Sequence, residues 1–356
     1  MTVHDPILAA AQRARAAIPD DTVMLRAAAE LARDYAHADP RIYWPDLLAS
    51  ALIGWSALAG AILIDNLAIA LACGLVSMLA LYRAASFIHE LTHIRKGALP
   101  GFRMGWNLFV GLPLMIPSFM YEGVHTQHHA RTRYGTAEDP EYLPLALMKP
   151  WSLPLFILVA ALAPIGLILR FGVLTPLSLL IPALRRKVVA EFSALSINPA
   201  YRRRTPEGAF ARQWAWQEAG ACIVALALVG SVFAFGWKPL LVYMAVHSAM
   251  TVINQLRTLV AHLWENEGEA MTVTAQYLDS VNVPPPATLP ALWAPVGLRY
   301  HALHHLLPSV PYHALGKAHT RLMGMIDQQS PYHRGNYGGM MPLVAKIARS
   351  TMTRRA

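Results

Sequence analysis

Eight of the fifteen histidines fall into three short groups that have the spacing of metal ligands. The groups read HELTH at residues 89–93, HTQHH at 125–129 and HALHH at 301–305. On a helix, positions i, i+3 and i+4 lie on one face, so each group can direct two or three imidazole rings to a common point. Imidazole is a good ligand for iron, copper and zinc. A zinc ion takes about four ligands in most sites, so eight rings indicate two metal ions with open positions, which suits dioxygen chemistry.

The first group also matches HExxH, the motif of zinc metalloproteases, in which the glutamate is the general base. A protease would use His89 and His93 as ligands with Glu90 as the base, and it would leave six clustered histidines without a role. Its further ligand would have to be a residue such as Asp279, which lies in a polar stretch instead of an apolar helix. A zinc-dependent membrane hydrolase is therefore a minor alternative. Glu90 is interpreted as an outer acceptor for a ligand imidazole or as incidental.

The composition is that of a membrane protein. Hydrophobic residues make up 55% of the chain and charged residues 14%, against about 25% charged residues in soluble domains. About 20 apolar residues cross the hydrocarbon core. We expect about four transmembrane helices, at residues 46–64, 67–81 with apolar character continuing to Ile88, 217–235 and 240–263.

Two further apolar stretches are interrupted by prolines. Residues 104–120 contain Pro113 and Pro117 and are short for a membrane crossing. They can form a re-entrant or interfacial helix as readily as a span. Residues 151–184 contain four prolines and Arg170. They are compatible with a broken hairpin or with two interfacial helices.

The predicted fold is all-α: a polytopic membrane protein with about four transmembrane helices, interfacial helices and a cytoplasmic helical cap that carries the histidine groups. We expect one integral-membrane domain over residues 1–356. It would comprise a cytoplasmic N-terminal segment (1–45), a membrane region (46–263) and a cytoplasmic C-terminal segment (264–356). Residues 1–45 show no signal peptide. Cys73 and Cys222 lie in apolar runs and are interpreted as small buried hydrophobic residues.

The net charge of +9 is concentrated in short basic runs beside apolar segments. Such runs are typical of cytoplasmic loops next to anionic lipid headgroups. No nucleic-acid-binding motif accompanies them, so membrane lipids, and not nucleic acid, are the expected partners. This orientation puts the turns Asp65-Asn66 and Gly236–Pro239 outside and all three histidine groups on the cytoplasmic side of a bacterial inner membrane. The runs are Arg95-Lys96, Arg185–Lys187 and Arg202–Arg204.

HELTH, HTQHH and HALHH occur in this order, with a helical hairpin before the first group and paired spans between the second and third. In these features residues 45–335 resemble the membrane fatty acid desaturase superfamily. The resemblance implies a non-haem centre of two iron ions held mainly by histidines. It also implies a further ligand at the end of the last span, for which His262 is the candidate, and Asn254 is the candidate to hold a metal-bound water. The ligands implied by the three groups are His89, His93, His125, His128, His129, His301, His304 and His305.

A neutral ligand imidazole needs an acceptor for its second N–H group. Three carboxylates near the histidine groups are candidates for this role: Glu122, Asp139 and Glu265. Three other histidines are not expected to be ligands. His247 is expected to be a polar group in the core, and His313 and His319 are expected at the surface or behind the ligands.

The resemblance implies oxidation of an unactivated methylene with dioxygen. We expect a fatty acyl lipid desaturase, with a membrane hydroxylase or monooxygenase as the alternative; a non-catalytic metal-binding or transport protein is a further alternative. The expected substrate is a fatty acyl lipid or an acyl thioester. The chain contains no haem-binding HPGG stretch and no ferredoxin-like cysteine cluster. We therefore expect a separate electron donor, such as a ferredoxin, a rubredoxin or a cytochrome.

Overall fold

The structure, a computed structural model, describes residues 13–95 and 97–353. In that part of the chain the prediction of an all-α protein is confirmed, since the extended pairing consists of three isolated bridges. Residues 1–12 of the N-terminal segment and Lys96 of the first basic run lie outside the described residues. The helices are α1 (Thr22–Tyr35), α2 (Pro40–Leu63), α3 (Leu67–His93), α4 (Phe102–Trp106), α5 (His125–His128), α6 (Ser152–Leu180), α7 (Pro182–Glu191), α8 (Gly208–Phe235), α9 (Trp237–Leu259), α10 (Val273–Asp279), α11 (Pro290–Trp293), α12 (His301–Leu306), α13 (Tyr312–Met325) and α14 (Met340–Thr353).

The α2–α3 hairpin carries the first histidine group. α3 begins where the side chain of Asn66 accepts a hydrogen bond from Ile69 N (3.1 Å). The two helices pack closely because Gly54 leaves room for Leu81, whose side chain a Cβ at residue 54 would meet at 2.6 Å. α3 has 27 residues, or about 40 Å at 1.5 Å per residue, which exceeds the ~30 Å hydrocarbon core. Its last turns, which hold HELTH, can therefore extend past the apolar layer.

Among residues 13–95 and 97–353, four helices are long and apolar enough to cross a membrane, which confirms the predicted number: α2, α3, α6 and α8. One of the four differs from the prediction. The sequence predicts a span at 240–263, but α9 carries Lys238 and Arg257 near its two ends, and its composition does not place it in this set. α9 nevertheless runs from the Gly236 turn to the histidines. Lys238 Nζ lies 3.7 Å from Asp65 Oδ1, so the two predicted turns lie at the same end of the bundle.

Of the two arrangements that the sequence left open for residues 151–184, the structure is nearer to the broken hairpin. These residues contain one 29-residue helix, α6, which includes a π-helical turn at Leu169–Leu174 and is followed by α7. Beyond α7 the chain returns to the histidine end, where Ile197 N and Asn198 N both donate to Pro140 O (3.1 Å). The α6–α7 segment therefore begins and ends at the same end of the bundle.

Hydroxyl groups of α9 explain why α6 stays continuous. Pro164 has no N–H to offer to the carbonyl of Ala160. Thr251 Oγ1 donates to that carbonyl instead, at 2.7 Å, and Ser248 Oγ donates to Ala161 O at 2.6 Å. The neighbouring helix thus satisfies the backbone carbonyl that the proline leaves without a partner, as apolar surroundings require.

Residues 104–120 are too short to cross. α4 and the π-helical turn Asn107–Gly111 together span ten residues, or about 15 Å. The Asn107 side chain then bonds back to Ser118, donating to its Oγ and accepting from its N, both at 2.9 Å. This stretch therefore folds on itself beside the hairpin.

A cap at the histidine end combines both ends of the described chain. α1 packs on α13 in one buried cluster that contains Met24, Leu31 and Leu322. The same cluster includes Ala302 and Leu303 of α12, so it also fixes the third histidine group. The N-terminal and C-terminal segments thus lie together at this end, and the division of the chain at residues 45 and 263 remains a prediction.

Candidate metal centre

Three helices and one loop bring nine histidines together. His89 and His93 lie on the last turns of α3, α5 is a single turn that carries the second group, and α12 carries the third. His262 follows α9 by three residues. Its loop is fixed to the end of α10, because Leu263 N donates to Asp279 O (2.7 Å). Four stretches that are distant in sequence therefore converge at one end of the bundle.

Five of the nine rings form one cluster, the five-histidine group. One nitrogen from each ring lies within 4.8 Å of those of the others. The Nε2 atoms of His125 and His129 are 3.0 Å apart. His304 Nε2 lies 3.1 Å from His93 Nε2 and 3.2 Å from His129 Nε2. The group consists of His89, His93, His125, His129 and His304.

The remaining rings form the four-histidine group. His301 Nε2 lies 2.9 Å from His262 Nε2 and 3.2 Å from His305 Nε2. The rings of His129 and His305 stack at a centroid distance of 4.3 Å, so the two groups are immediate neighbours. The four-histidine group consists of His128, His262, His301 and His305.

These spacings suit metal ions. An ion bonded to two nitrogens at about 2.1 Å and at a right angle holds them about 3.0 Å apart, close to the 2.9–3.2 Å separations found here. Burial lowers the pKa of His129, His262 and His301 well below the ordinary value, so these rings are neutral and keep a lone pair for a metal. Both ring nitrogens of His89 are buried without a hydrogen-bond partner. The residues of each group therefore fit one metal ion.

Two carboxylates hold the outer nitrogens of the second histidine group. His128 Nδ1 lies 2.9 Å from Asp139 Oδ2, and Asp139 is fully buried. His125 Nδ1 lies 3.0 Å from Glu141 Oε1 and 2.8 Å from Tyr121 OH. Hydrogen bonds of this kind fix the tautomer and the orientation of a ligand ring. They leave Nε2 free to face a metal.

For His262, a tyrosine instead of a carboxylate contacts the outer ring nitrogen. Tyr134 OH lies 2.8 Å from His262 Nδ1 and donates to Asp279 Oδ2 at 2.9 Å. Burial raises the pKa of Asp279 to about 6. Burial alone would lower the pKa of His128, but the Asp139 carboxylate raises it above its ordinary value. The four-histidine group is thus backed by two buried acids, one in direct contact and one through a tyrosine.

Only part of the predicted outer shell lies beside a histidine in the described part of the chain. Asp139 does, on His128. Glu122 instead accepts from Arg103 Nη1 (2.7 Å), and Glu265 pairs with Arg15. Arginines therefore neutralise these two carboxylates. The residues that fill the role, and that the sequence analysis did not single out, are Tyr121, Tyr134 and Glu141.

Three more histidines lie outside both groups, as expected. His247 is buried and packs edge-on against the ring of Tyr243, at a centroid distance of 5.6 Å. His319 Nδ1 lies 2.7 Å from Tyr332 OH. His313 accepts a backbone N–H in the cap at 3.3 Å.

Glu90, the glutamate of HExxH, joins three elements. Its carboxylate accepts hydrogen bonds from Tyr43 OH of α2 and from Tyr312 N of α13, the latter at 3.1 Å. It lies 3.7 Å from His89 Nδ1, beyond hydrogen-bond distance. A zinc protease requires this carboxylate at the metal-bound water. The geometry therefore favours a structural role for Glu90 and counts against the hydrolase alternative.

A cavity of about 710 Å³ adjoins the five-histidine group. Its walls come from α3, α6, α9 and residues 194–199, and His89 and Asn254 line it. Leu155 and Val159 of α6, and Trp151 just before it, line the cavity and are also exposed on the outer surface. The cavity therefore lies beside the apolar surface that a membrane would cover.

The fatty acid desaturase family model matches residues 65–337, and the chain belongs to this family. The resemblance predicted from the three histidine groups is thereby confirmed, and it places the protein among membrane oxidoreductases of the di-iron superfamily. The chain is 47% identical over 339 residues to a protein of Caulobacter vibrioides (strain NA1000 / CB15N) named ceramide hydroxylase. The match covers 94% of this chain and 96% of that relative. No solved structure matches the chain.

Proposed function

We propose that this protein is an oxygen-dependent membrane hydroxylase that acts on a ceramide through a centre of two iron ions. The observation that carries the proposal is the 47% identity, over 94% of the chain, to a protein named ceramide hydroxylase. The sequence analysis expected a desaturase and kept hydroxylation as the alternative. The relative favours the alternative, and a large cavity beside the histidines is suited to a lipid.

The two histidine groups would each hold one iron ion. Such a pair supplies the activation of dioxygen and the oxidation of an unactivated C–H bond. In the overall reaction one C–H bond, one O2, two electrons and two protons give an alcohol and one water. The reaction therefore needs a donor of two electrons for each turnover.

The protein's own residues would place the substrate and hold the ligands. His89 presents the five-histidine group to the cavity, so that a methylene in the cavity lies against the centre. Asp139, Glu141 and Tyr134 fix the ligand rings. The apolar walls exclude water and favour an aliphatic chain by about 0.8 kcal/mol for each buried methylene.

We further propose that the chain forms one domain in a bacterial inner membrane, with the histidine end in the cytoplasm. Exposed arginines at that end, such as Arg131 and Arg202, suit anionic headgroups and an acidic electron carrier. A separate ferredoxin, rubredoxin or cytochrome would supply the electrons.

The test is expression in a bacterium that makes ceramide but no hydroxylated ceramide, followed by mass spectrometry of the lipids. We expect a ceramide heavier by one oxygen atom, formed only with oxygen present. The His128→Ala variant serves as the control and should form none. A product lighter by two hydrogen atoms would establish desaturation instead, and product formation by the variant would contradict the site assignment.

A further inference from the structure

Polar side chains in the cavity gather at its histidine end. Tyr121 and Glu141 line the cavity, and both bond directly to His125 of the five-histidine group. Asn254 and Arg257 line the cavity from α9. The end of the cavity beside the metal centre is therefore the end that can form hydrogen bonds with a ligand.

Arg257 has donor capacity that the protein does not use. Its Nη2 donates to Asn254 Oδ1 at 3.1 Å and its guanidinium also contacts the Tyr82 hydroxyl, whereas its Nε is buried and has no hydrogen-bond partner. None of the ion pairs found in residues 13–95 and 97–353 includes Arg257. A buried donor without an acceptor is unfavourable. An acceptor supplied by a ligand in the cavity would relieve that cost.

The other end of the cavity is apolar. It is lined by Val159 and Ala163 of α6 and by Met250 of α9. Met250 precedes Arg257 by seven residues, which corresponds to about 10 Å along the helix axis. The cavity thus has a polar end level with the histidines and an apolar end deeper in the bundle. A lipid in a bilayer leaflet is arranged in the same way, with its polar head at the surface and its apolar tail deeper in the membrane.

We infer that Arg257, oriented by Asn254, binds the polar head of the lipid substrate, so that hydroxylation takes place on one of the first carbons next to the amide. This inference rests on the proposed function and extends it. The amide carbonyl and the hydroxyl groups of a ceramide are acceptors of the kind that the unpaired Nε–H group of Arg257 needs. With the head at Arg257 and the tail toward Met250, the carbons near the amide lie beside His89. The middle of the acyl chain then lies too deep to react.

The first experiment locates the new hydroxyl group by fragmentation mass spectrometry of the ceramide product. We expect it on the acyl carbon next to the carbonyl or on the first carbons of the long-chain base. A hydroxyl in the middle or at the far end of either chain would overturn the inference and leave the hydroxylase proposal intact.

The second experiment measures binding and does not depend on turnover. Purified full-length protein is titrated with a fluorescent short-chain ceramide, for wild type, Arg257→Gln and Arg257→Lys. Because hydrogen bonds to a charged group are strong, we expect the Gln variant to weaken binding about tenfold or more and the Lys variant to weaken it less. Helical content and metal content should stay unchanged. Equal affinity of the Gln variant and wild type would overturn the inference, even if no activity were found.

A matched variant at the other end separates head binding from general damage to the cavity. Ala163→Phe fills the apolar end, so it should shift preference toward shorter acyl chains and keep the position of hydroxylation. Arg257→Lys, which retains a charge, should raise KM more than it lowers kcat. A change in chain-length preference from the arginine variants, with KM unaffected, would contradict the assignment of Arg257 to the head.

Discussion

The two histidine groups are neighbours with different surroundings. The five-histidine group borders the cavity through His89, and its outer contacts include Glu141, which itself lines the cavity. The four-histidine group is backed by Asp139 and Asp279, both buried. One group therefore borders the cavity, and the other is backed by two buried carboxyl groups. We infer that the first serves the reacting carbon and the second keeps its metal in place.

Loss of a ligand histidine should give the largest effect on activity and should distinguish the five-histidine group from the four-histidine group. His89→Ala and His301→Ala should both reduce activity to background. The five-histidine group would still offer four rings, a full set for most metal sites, whereas the four-histidine group would keep only three. We therefore expect His89→Ala to retain about two metal ions per chain and His301→Ala about one, measured by elemental analysis. Equal metal loss in both variants would refute the difference between the groups.

Loss of an outer carboxylate should give the next largest effect. Asp139→Asn and Glu141→Gln each weaken the acceptor of one ligand ring, which typically lowers metal affinity about 10–100-fold. A chelator titration should show early release of one ion in each variant, from the four-histidine group in the first and the five-histidine group in the second. Glu138→Gln is the matched control, because Glu138 is exposed on the same loop. Its affinity should equal that of wild type.

Tyr134→Phe tests the contact that Tyr134 makes between His262 and Asp279, and it should have a smaller effect on activity. It removes the hydroxyl that bridges His262 and Asp279, and it leaves a buried carboxyl group without that partner. We expect a loss of stability of about 1–3 kcal/mol, seen as a lower Tm, with some activity retained. Tyr142→Phe provides the comparison, because the Tyr142 hydroxyl accepts from Asn266 N (3.1 Å) and contacts Asp279 but makes no hydrogen bond to His262. Loss of all activity in Tyr134→Phe would instead give the tyrosine a direct part in the reaction.

Glu90→Gln should have the smallest effect on activity. The amide oxygen of Gln can still accept from Tyr43 and Tyr312, so we expect activity within about threefold of wild type and a modest loss of stability. A metal-dependent hydrolase would lose its general base and all activity in this variant. A loss as complete as that of His89→Ala, in a folded protein, would bring Glu90 into the chemistry and reopen that alternative.

Local spacing singled out eight of the nine histidines that the structure brings together, and the resemblance added His262. HELTH, HTQHH and HALHH lie on single helical turns, and each needs only one face of a helix to bring its rings together. The acids were harder to predict. Glu122 and Glu265 lie closer to the histidines in sequence than Asp139 does, and the arginines that neutralise the first two come from other segments. Tertiary contacts, which the spacing along the sequence does not reveal, determine which carboxylate lies beside a histidine and which pairs with an arginine.

Hydropathy predicted the number of spans but not all their identities. Residues 151–184 looked broken because the sequence shows their prolines but not the helix that packs against them. The Thr251 hydroxyl, which donates to the carbonyl that Pro164 leaves without a partner, comes from a helix about 90 residues later. Glu141 and Tyr134 had a weak local signal, the stretch RYGTAEDPEY directly after the second histidine group. The Arg257 donor had no signal in the sequence, because its unpaired Nε is evident only once α9 is packed against its neighbours.

The hydroxyl contacts between α9 and α6 tie one wall of the cavity to the loop that carries His262. Thr251 and Ser248 of α9 donate to the α6 backbone, and α9 ends three residues before His262. The same helix therefore lines the cavity and leads directly to one ring of the four-histidine group.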